Sequence, residues 1–227
     1  MNRLADQIAV VTGASRGIGA ALARRLAAEG AHVVLVARTV GGLEEVDDAV
    51  KAAGGQATLV PCDLTEFDRI DTLGPALAER FGRCDILVGN AGMLGGLSPL
   101  GHYKSETWQA VFDLNVHANW HLIRTLDPLL RAAPAGRAVF VSADVARTPR
   151  PYWGAYAAAK AALESMARTW ALETAKTPLS VAVLDPGPVA TALRAEAYPG
   201  EDAATLTQPD EAAEGILQAI LGDAAHG

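Results

Sequence analysis

Six short apolar runs, each bounded by turn residues, constrain what this 227-residue chain can fold into. They lie at residues 8–11, 33–36, 58–60, 86–88, 138–141 and 181–184. Helical segments separate them, the first from about Ile18 to Gly30 and the others at about 42–53, 66–81, 104–132, 153–176 and 210–221. Runs that are apolar on both faces suit parallel strands covered by helices on both sides. The alternation therefore predicts an α/β fold, a doubly wound parallel sheet of about six strands with helices on both faces.

Composition limits the number of domains and the kinds of partner. Half of the residues are apolar and 20% are charged, so we expect one large core and a single domain over residues 1–227. A net charge of -7 without a basic cluster argues against nucleic acid or an anionic membrane as the partner. No run reaches the length of a signal peptide or a membrane span, and Cys62 and Cys84 are interpreted as reduced, buried thiols. We expect a soluble, cytoplasmic protein without a metal site, because the histidines form no metal-ligand constellation.

A glycine-rich turn joins the first apolar run to the first helical segment. Its sequence is Thr12-Gly13-Ala14-Ser15-Arg16-Gly17-Ile18-Gly19. Bare backbone at the amino end of a helix lets a pyrophosphate approach free N–H groups and the positive end of the helix dipole. The turn therefore predicts a Rossmann-type dinucleotide site; a turn that serves packing alone is the alternative. The cofactor-binding candidates here are Gly13, Ser15, Arg16, Gly17, Ile18 and Gly19.

Arg38 follows the second apolar run, where a site for NAD(H) usually has a carboxylate that holds the ribose 2′-hydroxyl. A guanidinium at this point suits a 2′-phosphate instead, and Arg16 could make a second contact to that group. A solvated arginine at a strand end is the alternative. We predict NADP(H) as the cofactor, with NAD(H) less favoured.

Tyr156 and Lys160 lie four residues apart in the segment 153–176, so their side chains share one helical face. A neighbouring ammonium favours the phenolate form and lowers the pKa of a tyrosine. The pair alone is weak evidence, since this spacing occurs by chance in many helices. Together with the glycine turn, it predicts a proton-transfer site beside a nucleotide.

In combination and order, these motifs resemble the short-chain dehydrogenase/reductase family over nearly the whole chain. The further matches are Cys62-Asp63-Leu64, Gly89-Asn90-Ala91-Gly92, Leu114-Asn115-Val116 and Asp185-Pro186-Gly187-Pro188-Val189-Ala190-Thr191. The resemblance implies that Tyr156 is the catalytic acid and base, that Lys160 holds the nicotinamide ribose and lowers the pKa of Tyr156, and that Asn115 keeps a water behind Lys160. It assigns the remaining cofactor contacts to Asp63 and Leu64 beside the adenine, to Asn90, Ala91 and Gly92 along the cofactor, and to Pro186, Gly187, Val189 and Thr191 beside the nicotinamide.

The resemblance also bears on assembly. It implies a homodimer that uses the helices around 104–132 and 153–176. The stretch after Leu221 leaves no room for the seventh strand that many members use, which weakens an inference to a tetramer.

One position departs from the family pattern. The family usually has a serine thirteen residues before the tyrosine, where its hydroxyl polarises the substrate oxygen, and this chain has Ala143 there. Ser142 is one residue earlier, and one step along a strand turns a side chain to the opposite face. Ser142 is therefore a catalytic candidate only if the strand end bulges or the next loop is longer; Asp144 and Thr148 are the other polar candidates.

The resulting expectation is reversible hydride transfer between NADP(H) and a carbonyl or secondary alcohol, with residues 188–208 as the substrate-binding loop. Two alternatives stay open. Because of Ala143, the protein could bind a nucleotide with weak or no turnover, as a redox sensor or a partner subunit does. It could also be an enzyme that catalyses another reaction, such as enoyl reduction. The sequence does not identify the substrate. The candidate residues for the wall of the substrate site are Met93, Leu94, Tyr152, Trp153 and Tyr198. Arg147 and Arg150 suggest an acidic substrate, although cations in loops are more often simply solvated.

Overall fold

The computed structural model describes residues 2–222 and contains the predicted parallel sheet. Its strands are β1 (Ile8–Thr12), β2 (His32–Ala37), β3 (Gln56–Pro61), β4 (Ile86–Gly89), β5 (Arg137–Val141) and β6 (Ser180–Leu184). They lie in the order β3-β2-β1-β4-β5-β6, and every pairing is parallel. The first three strands extend the sheet from β1 in one direction, and β4 to β6 extend it from β1 in the other. Such a switch point opens a crevice at the carboxyl ends of the strands.

Helices cover both faces of the sheet, as predicted. They are α1 (Gly17–Ala28), α2 (Val40–Ala52), α3 (Phe67–Asp71), α4 (Leu73–Phe81), α5 (Ser105–Phe112), α6 (Ala118–Ala132), α7 (Gly154–Glu173), α8 (Ala192–Ala197) and α9 (Pro209–Leu221). Alternate strand residues enter two cores: Val33 and Leu35 pack with α1, α2 and α9, and Val34 and Val36 pack with α4, α6 and α7. The alternation explains why each central strand is apolar at every position. One domain with two core layers results.

The segment predicted as one helix over 66–81 is two helices, α3 and α4. Pro75 has no N–H to donate to the carbonyl of Asp71, which therefore cannot continue the helical ladder. Thr125 Oγ1 on α6 donates to that carbonyl over 2.9 Å. A hydrogen bond from a distant helix thus satisfies the Asp71 carbonyl, which Pro75 leaves without a partner in its own helix.

The segment predicted as a helix over 104–132 is likewise interrupted. A π-helical turn at Asp113–His117 separates α5 from α6. Such a turn inserts one extra residue into the ladder and re-aims the side chains within it. Asn115, a predicted site residue, lies at its centre.

The predicted substrate-binding loop, residues 188–208, contains α8 and a 3₁₀ turn at Ala203–Thr205. Thr191 Oγ1 caps α8 by accepting from the Arg194 N–H over 3.2 Å. A bridge between Val189 and Thr207 closes the base of the stretch. The predicted substrate loop is therefore an ordered flap with a short helix.

Across residues 2–222, no helix is long and apolar enough to cross a membrane. Residues 223–227, on which the argument about a seventh strand depended, lie outside the described part of the chain.

Candidate active site

A cleft of about 1080 Å³ runs along the carboxyl ends of the strands, at the switch point between β1 and β4. The glycine turn, the end of β2, the loops after β4 and β5, the face of α7 and the flap with α8 form its walls. These segments are far apart in sequence. They converge because parallel strands all end at the same edge of the sheet.

Two glycines in the turn leave no room for a side chain. A Cβ on Gly19 would lie 2.3 Å from the carbonyl oxygen of Gly13, and Gly13 has a φ of +64°. Other residues rarely adopt that backbone region, and backbone atoms cannot move aside as a flexible side chain can. Arg16 precedes α1 without a side-chain cap, so the first N–H groups of α1 face the cleft. The turn therefore has the bare, N–H-rich surface that a pyrophosphate requires.

Thr12 and Asn90 tie the two strands at the switch point together. Asn90 Nδ2 donates to the Thr12 carbonyl over 2.9 Å, and the N–H groups of Asn90 and Ala91 donate to Thr12 Oγ1 over 3.0 and 3.1 Å. The Thr12 hydroxyl donates in turn to the Val88 carbonyl. Thr12 was not among the predicted site residues. Its signal in the sequence is a hydroxyl at the last position of an otherwise apolar strand.

Arg16 and Arg38 both line the cleft where β2 ends. The Arg38 side chain is 70% exposed, and its Nη1 lies 3.5 Å from Asp63 Oδ2. Burial acts to raise the pKa of Asp63, but hydrogen bonds from the Thr65 N–H and hydroxyl and the charge of Arg38 outweigh it and lower that pKa. The Asp63 carboxylate is thus engaged by Thr65 and Arg38. The cleft wall is formed by its neighbours Cys62 and Leu64.

Tyr156 and Lys160 lie on the cleft side of α7, and both are buried. Lys160 Nζ donates to the Val141 carbonyl over 2.7 Å and lies 5.6 Å from the centroid of the Tyr156 ring. Burial lowers the pKa of Lys160 to about 8, and Glu164 acts in the opposite sense. The pair therefore shares one face of the helix, as the spacing predicted.

The expected fall in the pKa of Tyr156 is wrong for the chain alone. Burial raises the pKa of Tyr156 above its ordinary value, and the carboxylates of Asp185 and Asp144 add to the rise. Lys160 directs its ammonium to the Val141 carbonyl, so desolvation of the phenolate prevails. The phenol is held in its protonated form.

Asn115 is fully buried and aimed by the π-helical turn. Its Nδ2 donates to the carbonyls of Met93 and Val111 over 3.0 and 2.8 Å. Its Oδ1 has no hydrogen-bond partner among the described residues. A Cβ on Gly92 would lie 2.8 Å from that oxygen and 3.6 Å from Lys160 Nζ, so the two polar atoms border one small space. A buried acceptor beside an ammonium is a suitable site for a bridging water.

The end of β5 is regular, which decides between Ser142 and Ala143. The Ser142 N–H donates to the Leu184 carbonyl over 2.7 Å and continues the ladder with β6, and Ala143 is extended. Ala143 packs in the cluster that contains Tyr156. The Ser142 hydroxyl is directed away, to Glu164 Oε1 over 2.8 Å. The bulge on which a catalytic Ser142 depended is absent from the described strand, so that prediction is corrected.

Comparison with known proteins identifies the family and the fold. Residues 7–202 match the short chain dehydrogenase family. The chain belongs to that family. It is 38% identical to the uncharacterized oxidoreductase YciK of Escherichia coli strain K12, over 91% of this chain and 82% of that protein. A short chain dehydrogenase structure from Pseudomonas syringae superposes with a TM-score of 0.92 at 35% identity, covering 98% of this chain and 92% of that one. A short chain dehydrogenase from E. coli CFT073, complexed with NADPH, has a TM-score of 0.90 at 35% identity, covering 97% and 93%.

In this short chain dehydrogenase, the cleft gathers most of the residues predicted from the sequence. Those in its wall are Gly13, Ser15, Arg16, Gly17, Ile18, Arg38, Leu64, Asn90, Ala91, Gly92, Ser142, Tyr156, Lys160, Pro186, Gly187, Val189 and Thr191. Gly19, Asp63 and Asn115 act from behind the wall, through the contacts described above. Of the candidate substrate-wall residues, Trp153 reaches the cleft, whereas Leu94 is fully buried and Tyr152 is exposed.

Arg147 and Arg150, the two arginines of the loop before α7, lie in different surroundings. Arg147 is not part of the cleft wall, and it donates to Asp185, which is, over 2.9 Å. Arg150 lines the cleft and is held by Asp144 and by the Tyr198 hydroxyl on the flap. With Trp153, Leu193 and Ala197, it borders the end of the cleft that contains Tyr156. The apolar residues at this end are accompanied by two paired cations in the cleft lining, Arg150 and Arg194.

Proposed function

We propose that the protein is an NADP(H)-dependent oxidoreductase that transfers a hydride between the nicotinamide and a carbonyl or a secondary alcohol. The observation that carries the proposal is the buried Tyr156–Lys160 pair, in the same cleft as the side-chain-free glycine turn. Family membership supports oxidoreductase chemistry, and structural neighbours complexed with NADPH and NADP support the cofactor.

The residues of the cleft fit a phosphorylated dinucleotide. Gly13 and Gly19 leave open the space that a pyrophosphate needs, and the N–H groups at the start of α1 face it. Arg16 and Arg38 bring two guanidiniums to the end of β2, where a 2′-phosphate would lie. Comparing the affinities for NADPH and NADH tests this assignment, and equal affinities would remove it.

Further contacts are assigned along the cleft. We assign the adenine to the surface beside Leu64 and Asp63, and the central part of the cofactor to Asn90, Ala91 and Gly92. The nicotinamide would border Pro186, Gly187, Val189 and Thr191. Bound there, the cofactor supplies or accepts the hydride.

The proton chemistry belongs to the chain. Tyr156, protonated at neutral pH, gives its proton to the substrate oxygen during reduction and takes it back during oxidation. The Lys160 ammonium stabilises the phenolate that forms when the proton leaves. A water between Asn115 Oδ1 and Lys160 can return a proton from solvent towards Tyr156.

Consumption of NADPH with a panel of ketones, quinones and diketones tests the proposal. Tyr156→Phe should lower kcat by roughly 10²–10⁴-fold and leave NADPH affinity nearly unchanged, because the phenol proton is needed only as the substrate oxygen changes charge. A phenylalanine variant that keeps most of the activity would show that the proton comes from elsewhere.

A second candidate function rests on the regular end of β5. Ala143 offers no hydroxyl to the substrate oxygen, and the Ser142 hydroxyl is taken by Glu164. A nucleotide-binding protein with weak or no turnover, such as a redox sensor or partner subunit, would have these features. Tight NADPH binding without consumption by any carbonyl of the panel would favour it.

The proposal also includes a homodimer and a cytoplasmic location. The free, buried thiols of Cys62 and Cys84 support a reducing compartment. The substrate is a small molecule whose reacting carbon sits beside Tyr156, against the apolar wall of Trp153 and Leu193.

A further inference from the structure

A buried carboxylate lies directly behind the Tyr156–Lys160 pair. Glu164, on α7, is 2% exposed. Its Oε1 accepts from the Ser142 hydroxyl over 2.8 Å, and its Oε2 accepts from Arg168. The reaction proposed above gives no role to Glu164 or to Ser142. A buried charge is costly unless its contacts stabilise it, so its position calls for a reason.

Glu164 and Lys160 hold consecutive residues at the end of β5. They are one turn apart on α7, and Lys160 donates to the Val141 carbonyl while Glu164 accepts from the Ser142 hydroxyl. The Ser142 N–H is in turn fixed to β6. Two adjacent contacts therefore lock the catalytic face of α7 to the strand end that carries Ala143.

The charges around Glu164 differ on its two sides. On the outer side, Arg168 and Arg147 approach it, but their side chains are more than half exposed and water screens their effect. Asp185 engages Arg147, and the charges of Asp185 and Asp144 both act on Tyr156. On the inner side, Lys160 is fully desolvated, and Glu164 is the charged group that opposes the loss of its proton. Glu164 is therefore the carboxylate behind Lys160 whose charge favours the ammonium form, in addition to its contacts with Arg168 and Ser142.

We propose that Glu164 is a positioning residue for the Tyr156–Lys160 pair, which holds Lys160 in place and in its charged form, and that Ser142 serves this reaction by anchoring Glu164. The inference rests on the proposed function. It gives Ser142 a role without contact to the substrate.

Glu164→Gln is the sharpest test, because glutamine keeps the shape and an acceptor for Ser142 but removes the charge. The alkaline limb of kcat against pH should move to lower pH by roughly half to one unit, since Lys160 then loses its proton more readily. Glu173→Gln removes the same charge from the exposed end of α7 and should leave the profile unchanged. Thermal unfolding confirms that both variants are folded.

The titration of Lys160 can be read directly, without turnover. In protein labelled with ¹³C at the lysine ε carbon, Lys160 is assigned by the signal that Lys160→Met removes, and Lys51, Lys104 and Lys176 serve as internal references. The pKa of Lys160 should fall in Glu164→Gln and stay in Glu173→Gln. An unchanged Lys160 titration in Glu164→Gln overturns the inference. This readout decides the inference even if the wild type reduces no carbonyl, an outcome that would defeat the proposed function separately.

Ser142→Ala separates anchoring from direct catalysis. We expect a loss of kcat of less than about tenfold, and no further loss when Ser142→Ala is added to Glu164→Ala, because each of these two changes removes the same Ser142–Glu164 hydrogen bond. A serine that polarised the substrate oxygen would instead cost about 10²–10³-fold, independently of Glu164. Independent, additive losses would overturn the anchoring role.

Discussion

At the scale of single residues, burial governs the ionisation of the Tyr156–Lys160 pair. It raises the pKa of Tyr156 and lowers that of Lys160 to about 8, so each is pushed towards its neutral form. A neutral phenol is the form that donates a proton during carbonyl reduction. An ammonium with a pKa near 8 is still mostly charged at neutral pH, so the proton donor and its electrostatic support coexist there.

The pH dependence of turnover follows from Lys160. Its ammonium is lost as the pH rises through about 8, so kcat for reduction at saturating cofactor should fall on the alkaline side near that value. A profile that stays flat to pH 10 would show that the charge of Lys160 is not needed.

Folding has the opposite linkage to the same group. The pKa of Lys160 is lower in the folded protein than its ordinary 10.5, so the folded state is penalised below about pH 8 and the penalty disappears towards pH 10.5. Wild type should therefore gain stability relative to Lys160→Met, on the order of 3 kcal/mol over this range. Denaturant unfolding at matched pH values measures this gain.

Ala143 is the position where one added hydroxyl should increase activity. Ala143 packs with Tyr156 at a regular strand end, so Ala143→Ser aims a donor at the substrate oxygen. Comparable donors contribute about 2.7–4 kcal/mol, so kcat on a reactive diketone should rise by up to about 10²–10³-fold. Steady-state kinetics of wild type and variant decide the matter. No change in an active enzyme would mean that no hydroxyl is needed there.

At the scale of elements, the close approach of the glycine turn to the first turn of α1 shapes the nucleotide end of the cleft. The Asn90 amide packs against the same point, so the turn, α1 and the end of β4 meet with no space between them. The π-helical turn does the same for Asn115, since it directs one amide at the space beside Lys160. The glycine turn and the π-helical turn are local departures from regular backbone geometry, and they orient the polar groups of the site.

Gly19→Ala tests that packing. The new Cβ would lie 2.3 Å from the Gly13 carbonyl, so the turn must shift, and NADPH affinity in a fluorescence titration should fall at least about tenfold. Gly215→Ala is the matched control, because its Cβ would meet nothing within 4 Å on the exposed side of α9. The control should keep its affinity and gain roughly 0.5–1 kcal/mol of stability. Equal affinities of the two variants would contradict this account of the turn.

At the scale of the whole molecule, apolar side chains remain exposed on the helices predicted to form a dimer. Trp120 on α6 is 46% exposed and Leu172 on α7 is 80% exposed. Arg124 and His121 pack around the Trp120 ring and fix its orientation. A rigid, exposed tryptophan of this kind is typical of an interface centre.

We therefore expect light scattering at micromolar concentration to give twice the 23.5 kDa protomer mass. Trp120→Glu should shift the protein towards monomer, because a buried unpaired carboxylate opposes association. Leu100→Glu places the same charge on an exposed leucine outside these helices and should leave the mass unchanged. A monomeric wild type would contradict the prediction.

The sequence by itself determined the six strands, their parallel arrangement and the glycine turn at the first strand end. These depend on local patterns: runs that are apolar on both faces, helical spacing, and glycines where a backbone must be bare. The Tyr156–Lys160 face follows from helical periodicity in the same way. Each of these features can be read within one segment of chain.

The tertiary structure decided what depends on distant partners. Thr125 accommodates the break at Pro75 from a helix about fifty residues away, and Glu164 takes the Ser142 hydroxyl from the helix that packs behind β5. The pKa of Tyr156 moved against expectation because its burial depends on the flap and α7 together. Burial, strand regularity and hydrogen-bond partners come from the assembled core, so no single segment of the sequence specifies them.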